Sequence, residues 1–106
     1  MTQVIIPDKL SEILQQLEGK TLDQKLAQLI ERDLEHRLRY CSRRIVDFEV
    51  KYGLLFEEFR AAWELGTIPD RHAHEIERDY MEWESLVDER QLLLTKLKQL
   101  TNRLFS

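Results

Sequence analysis

Hydrophobic positions along residues 21–52 recur with the spacing of an α-helix. The segment contains no glycine or proline, and it opens on Thr21-Leu22-Asp23-Gln24, a capping-box sequence. Its inner face is predicted to carry Leu22, Leu26, Leu29, Ile30, Leu34 and Leu38. Beyond Leu34 the apolar positions alternate by three and four residues, which is typical of a coiled-coil seam: Leu38, Cys41, Ile45, Phe48, Tyr52 and Leu55. The pattern predicts one long helix that packs against another helix.

Two glycines divide the remainder of the chain into helices. Gly53 interrupts the seam, and a short helix carrying Leu55, Phe56, Phe59 and Trp63 is predicted to stop at Gly66. Residues 67–70 predict a turn, with Asp70 as the N-cap of a last helix. The seam of that helix carries Ile76, Tyr80, Trp83, Val87, Leu94, Leu97 and Leu104, with Arg90 and Thr101 as polar exceptions, and Leu86, Leu93 and Leu100 widen it. These elements predict a C-terminal helical hairpin.

The N-terminus predicts a different element, a short β-strand. Residues 2–6 form a β-branched run that Pro7 ends. Because a lone strand leaves its backbone groups unpaired, we expect it to pair with the same strand of a second copy. Asp8 is predicted to cap a helix that ends at Gly19 and carries Leu10, Ile13, Leu14 and Leu17. The expected fold is therefore a mainly α homodimer, with residues 1–45 as a dimerisation segment and residues 46–106 as a helical extension.

Charge is distributed unevenly over the 106 residues. The chain carries −4 overall, but residues 57–89 hold three arginines against eleven carboxylates, whereas residues 90–106 carry four basic residues and no acidic one. A protein partner of this chain is expected to be basic and to meet the middle of the sequence.

The acidic segment is also the aromatic segment. Residues 51–84 hold both tryptophans, two of the three tyrosines and two of the four phenylalanines. Tryptophan and tyrosine are the side chains that most often anchor protein interfaces. A partner-binding surface is therefore predicted from these residues: Tyr52, Phe56, Phe59, Trp63, Glu77, Asp79, Tyr80, Trp83 and Glu84. The competing interpretation is that the rings pack within the chain's own hairpin.

The sequence indicates no metal, cofactor or catalytic site. His72 and His74 stand two residues apart and no distant cysteine or histidine completes a metal site, so no metal and no cofactor is predicted. Cys41 falls on the helical seam, which favours a core position. With no glycine-rich phosphate loop and no distinctive acid–base pair, the chain is not expected to be an enzyme. The start Met1-Thr2-Gln3 has no signal-peptide character and no run is long enough to span a membrane, so a cytoplasmic location is expected.

The N-terminal third resembles the ribbon-helix-helix fold. The likeness is carried by Val4-Ile5-Ile6-Pro7-Asp8-Lys9-Leu10, by Gly19-Lys20-Thr21, and by Leu26 with Leu29-Ile30. In that family an antiparallel ribbon of two strands enters the DNA major groove. The resemblance implies dimerisation through Val4, Ile6, Leu26 and Ile30, and contact with operator DNA through Gln3, Ile5, Lys20 and Thr21. Ile5 stands where the family usually has a basic or polar residue.

The middle of the chain resembles the antitoxin half of small prokaryotic toxin–antitoxin pairs, and more narrowly the antitoxin that accompanies toxins of the TumE type. The matching residues are Lys51-Tyr52-Gly53, Phe56-Glu57-Glu58-Phe59, Trp63, Gly66, Ile68-Pro69-Asp70, Glu75, Glu77, Asp79-Tyr80 and Glu82-Trp83-Glu84. The resemblance implies neutralisation of a cognate toxin by direct binding, with repression of the shared promoter. Two other functions stay open: a transcriptional regulator without a toxin, and a coiled-coil structural adaptor.

Overall fold

A computed structural model describes residues 21–105, with side chains described as far as residue 103. Within this range the protein is mainly helical and has no strand, which confirms the helical class. The predicted strand and the predicted helix after Asp8 lie outside the described residues.

The first described helix, α1, spans Leu22–Tyr52, and its ends follow from local chemistry. Thr21 is extended, and its hydroxyl oxygen accepts a hydrogen bond from the backbone N–H of Gln24 at 3.1 Å. Gly53 adopts a left-handed conformation with φ 65° and donates its N–H to the carbonyl of Glu49 at 2.8 Å. Both predicted ends of this helix are confirmed.

The short helix α2 spans Phe56–Leu65. The Glu58 carboxylate accepts a hydrogen bond from the backbone N–H of Leu55 at 2.8 Å, so the helix start is capped although Leu55 has no capping side chain of its own. Gly66, with φ 73°, ends the helix by donating to the carbonyl of Trp63. The predicted stop at Gly66 is confirmed.

The long helix α3 spans His74–Phe105, so the prediction that Asp70 caps it is wrong. Asp70 has φ 52°, a left-handed conformation, and its carbonyl accepts from the N–H of Ala73 at 2.7 Å. The guanidinium of Arg71 donates to the carbonyl of Trp63 at 2.8 Å. This bond fastens the connecting turn to the end of α2, and α3 begins only after the turn is complete.

Helices α1 and α3 pack antiparallel as a long hairpin, and α2 lies against the end where the hairpin turns. One buried cluster, at that end, consists of Ile45, Phe48, Phe56, Phe59 and Trp83. A second, further along the hairpin, consists of Leu34, Cys41 and Leu93. The prediction of Cys41 as a core residue is confirmed.

Two positions of the predicted seams, Leu94 and Leu55, are wrong. Leu93 is 1% exposed whereas Leu94 is 44% exposed, and Leu55 is exposed while Leu54 packs on the aromatic cluster. Residues spaced by seven do not return to the same side of a helix with 3.6 residues per turn. On α3, Trp83 therefore packs against α1 near the turn of the hairpin, and Leu93 packs against α1 further along.

The start of α1 departs from the predicted inner face in the same way. Leu22, Leu26 and Ile30 are 45%, 40% and 52% exposed. Each step of four residues advances about 40° around the helix. The side of α1 that α3 covers at Leu34 has therefore turned toward solvent by Leu22.

None of the helices in the described part of the chain is long and apolar enough to cross a membrane.

Candidate functional site

The aromatic residues of the middle segment form one connected cluster inside the chain. Trp83 is fully buried, and its ring centroid lies 5.1 Å from that of Phe59, 5.5 Å from those of Phe48 and Phe56, and 5.9 Å from that of Tyr52. The rings come from all three helices, so the cluster joins the hairpin to α2. Its first role is structural.

This burial corrects the predicted partner-binding set. Trp83 and Phe59 are 0% exposed and Phe56 is 8% exposed. A side chain without accessible surface has no contact to offer a partner in this fold. The predicted role of these three residues as anchors is therefore replaced by a role in the protein core.

The side chains of Asp79 and Tyr52 also make hydrogen bonds within the chain. The Tyr52 hydroxyl donates to the Asp79 carboxylate at 2.5 Å, and the Lys51 ammonium lies 2.6 Å from the same carboxylate oxygen and 2.9 Å from Glu75. We call Lys51, Tyr52, Glu75 and Asp79 the polar clamp. The polar clamp joins the last turn of α1 to the first turns of α3. Because the Asp79 carboxylate is already bound by Lys51 and Tyr52, it is not free to bind a partner.

The polar clamp shifts the pKa values of Lys51, Tyr52 and Asp79. Burial alone raises the pKa of Asp79, but hydrogen bonds from Lys51 and Tyr52 outweigh burial and bring that pKa below its usual value. Burial and the hydrogen bond to Asp79 raise the pKa of Tyr52 to about 12. Hydrogen bonds to Asp79 and Glu75 raise the pKa of Lys51. Lys51 and Asp79 are therefore charged, and Tyr52 is neutral, at neutral pH.

Two of the predicted anchors remain partly accessible. Trp63 and Tyr80 are half-buried, and their rings meet edge to face with centroids 4.7 Å apart. Glu84 lies on α3 one turn beyond Tyr80, and Glu57 and Glu64 lie on α2; all three carboxylates are exposed. We call Glu57, Trp63, Glu64, Tyr80 and Glu84 the acidic aromatic surface.

The carboxylates of the acidic aromatic surface act electrostatically on the phenol of Tyr80. Burial raises the pKa of the Tyr80 phenol, and the negative charges of Glu84, Glu64 and Glu57 raise it further, against one opposing cation, Arg60. Arg60 is itself 3.8 Å from Glu64. A half-buried aromatic pair rimmed by excess negative charge is suited to a basic protein partner.

The other predicted residues are dispersed. Glu77 lies 3.3 Å from a ring nitrogen of the exposed His72. Thr21 is the N-cap of α1, and Leu26 and Ile30 present exposed surface on that helix. Gln3, Val4, Ile5, Ile6 and Lys20 lie outside the described residues. Of the predicted DNA-contacting residues only Thr21 is described, and it lies at the opposite end of α1 from Tyr52.

Sequence reasoning did not single out Glu57 and Glu64 as site residues. They were part of the acidic segment, but nothing distinguished them from its other carboxylates. The available signal was their seven-residue spacing, two turns of α2, which places both carboxylates on one side of the helix, with Glu64 next to Trp63 in sequence.

No other chemical centre is evident in residues 21–105. These residues contain no group of three or more histidine, cysteine, aspartate or glutamate side chains suited to a metal ion. Cys41 is buried, and burial together with the charge of Glu89 raises the pKa of its thiol above the usual value. A thiol of that kind is a poor nucleophile.

Comparisons with known proteins give no further guide. No protein-family model matches the chain, and neither the curated proteins nor the solved structures contain a significant match.

Proposed function

We propose that this protein is an antitoxin that neutralises a basic toxin by binding it through the acidic aromatic surface. The observation that carries the proposal is the half-buried aromatic pair of Trp63 and Tyr80, with the exposed carboxylates of Glu57, Glu64 and Glu84 on the same two helices. The surface sits on a rigid base, because Tyr80 and Trp63 both contact the buried Phe59. A preformed aromatic patch with a charged rim binds with little ordering cost.

The acidic aromatic surface also explains how a toxin would be blocked. A toxin that acts on RNA needs a cationic groove for the phosphates, and carboxylates held above two aromatic rings fit such a groove. The polar clamp supports the surface from the opposite side by holding α3 against α1.

The proposal includes homodimerisation and autorepression through the N-terminal segment. Leu26 and Ile30 expose apolar surface on α1, as residues at a dimer contact would in a single protomer. The strand residues Val4 and Ile6 would complete that contact, and Gln3, Ile5, Lys20 and Thr21 would face operator DNA. These roles follow from the resemblance to ribbon-helix-helix proteins.

Growth rescue tests the proposal. The product of the neighbouring reading frame is induced alone, where we expect it to arrest growth, and then together with this chain, where we expect growth to recover. The variant Glu57→Gln, Glu64→Gln, Glu84→Gln should lose most of the rescue. The matched control Glu31→Gln, Asp33→Asn, Asp47→Asn makes the same change in net charge on α1 and should retain it.

Two outcomes would refute the proposal. The first is a neighbouring product that is harmless, or whose toxicity this chain does not relieve. The second is equal rescue by the surface variant and the wild type, which would place the toxin contact elsewhere.

One observation favours a second candidate, a scaffold that assembles through α3. Leu92 and Leu94 are 48% and 44% exposed on that helix. A scaffold predicts that the purified chain forms tetramers or larger assemblies, which sedimentation equilibrium would reveal. The antitoxin proposal predicts a dimer.

A further inference from the structure

The solvent face of α1 carries a row of basic side chains that the antitoxin function does not use. Arg32, His36, Arg39 and Arg43 follow one another at spacings of four, three and four residues, and all four are exposed. At 3.6 residues per turn their side chains leave the helix within about 60° of one another. We call these four residues the α1 basic face.

The arginines of the α1 basic face are not neutralised by neighbouring carboxylates. The other two arginines of α1 are paired, Arg37 with Asp33 and Arg44 with Asp47 and Glu82. Among the described residues, Arg32, Arg39 and Arg43 form no ion pair, even though Glu35 stands one helical turn from two of them. An acidic protein thus presents a local excess of positive charge along one helix.

An exposed aromatic ring adjoins this face. Tyr40 is 55% exposed, and His36 and Arg43 lie one turn before and one turn after it. Tyr40 also lines a groove between α1 and α3 with a volume of 490 Å³, whose other lining residues are His36, Arg37, Cys41, Ser85, Leu86 and Glu89. The ring is therefore exposed beside a groove, with a basic side chain one turn away on either side.

We propose that the α1 basic face and Tyr40 bind single-stranded nucleic acid. Arginine pairs with phosphate through two parallel hydrogen bonds, and a tyrosine ring stacks on an unpaired base. Arg32 and Arg43 lie about 16 Å apart along the helix axis, which spans several nucleotides at about 3.4 Å each.

The exposed ring of Tyr40 favours single-stranded nucleic acid over other anionic ligands. The bases of a duplex already stack on one another, so an exposed ring has no base face to meet there. An acidic polypeptide would satisfy the arginines but offers nothing that needs the ring. A strand with unpaired bases uses both features.

Fluorescence anisotropy of the purified full-length chain tests the proposal without any toxin present. Fluorescein-labelled oligothymidylate and oligouridylate are titrated at low salt. The variant Arg32→Gln, Arg39→Gln, Arg43→Gln should bind about tenfold or more weakly, and its dependence on salt should flatten by about two log units of affinity per log unit of salt, as expected for three lost phosphate contacts.

A matched control separates local geometry from net charge. Lys96→Gln, Lys98→Gln, Arg103→Gln removes three exposed cations from α3 and changes the net charge equally. This control should bind within about twofold of wild type, because its charges lie off the α1 basic face. Far-UV circular dichroism should show unchanged helicity for both variants, since all six side chains are exposed.

Tyr40 provides an independent arm of the same experiment. Tyr40→Ala should weaken binding by about fivefold or more, the loss expected for one stacking contact, and Tyr40→Phe should retain binding. The ratio of affinities for the two labelled strands then identifies DNA or RNA as the source of the ligand.

Four results would overturn the proposal. The first is no binding to either strand at low salt. The second is an equal loss of affinity in the α1 variant and the α3 control. The third is duplex DNA binding at least as tightly as the single strand. The fourth is displacement of the strand by polyglutamate at equal charge concentration, which would assign the face to an acidic polypeptide. The antitoxin proposal does not depend on any of them.

Discussion

Replacing Trp83 with alanine should destabilise the protein severely, because this indole is the centre of its core. It is 0% exposed and contacts four other rings, drawn from α1 and α2. Burial of about 200 Å² of a large aromatic side chain at about 25 cal/mol per Å² amounts to about 5 kcal/mol. Compact unfolded chains already bury part of that area, so the free energy of unfolding is expected to fall by about 3–5 kcal/mol.

A loss of that size is a large fraction of the total stability. A small domain is stable by about 5–15 kcal/mol, so Trp83→Ala should shift the urea unfolding midpoint sharply or leave the chain partly unfolded. Far-UV circular dichroism in a urea series measures it. The control is Met81→Ala on the same helix, where the side chain is 72% exposed and the expected change is within about 0.5 kcal/mol.

A milder variant keeps the test informative if Trp83→Ala does not fold. The indole N–H of Trp83 has no hydrogen-bond partner in the described residues, so Trp83→Phe removes an unsatisfied buried donor together with part of the ring. Its cost should be clearly below that of alanine. If Trp83→Ala changes the free energy of unfolding by less than about 1 kcal/mol, the indole is not a core residue in solution and the partner-anchor interpretation returns.

Four further predictions concern the polar clamp, the buried thiol and the end of α1. The lowered pKa of Asp79 means that its contribution to stability is present above its unfolded pKa and is lost as pH falls through its folded pKa, so Asp79→Asn should flatten the acid limb of a stability–pH curve. The raised pKa of Tyr52, about 12, means that stability falls as pH rises from the unfolded pKa of about 10 toward 12, and Tyr52→Phe should remove that alkaline loss. Cys41 should resist iodoacetamide in the folded protein and react only as fast as the chain opens, so rapid labelling without urea would contradict its burial. Gly53→Ala should cost about 1 kcal/mol because φ is 65° with open space around the site, and Gly53→Asn should cost less; equal urea midpoints for glycine and alanine would contradict the left-handed cap.

The burial of Trp83 also changes how the acidic segment is understood. A run of aromatic residues among carboxylates was predicted to be an interface, and most of its rings prove to be a core. The two interpretations share one sequence pattern, because large rings stabilise a fold and a complex by the same loss of accessible surface. Trp63 and Tyr80, at the edge of the cluster, remain partly accessible to a partner.

Helix ends were predictable because they depend on a few adjacent residues. Thr21 caps α1 through its own hydroxyl, and Gly53 and Gly66 accept left-handed conformations that other residues resist. Asp70 shows the limit of that reasoning. Its side chain suits an N-cap, but the bond from Arg71 to Trp63 holds the turn in a different path.

The sequence by itself therefore determined the helical class, the bounds of α1 and α2, the core position of Cys41 and the acidity of the middle segment. Only the tertiary structure decided which side of each helix is covered, and with it the exchange of Leu94 for Leu93 and the burial of Trp83. Periodicity shows that a helix has an apolar side about 100° wide. Which part of that side is sealed depends on the crossing of a second helix, and that crossing is fixed by packing between residues more than thirty positions apart, as in the stacking of Phe48 on Trp83.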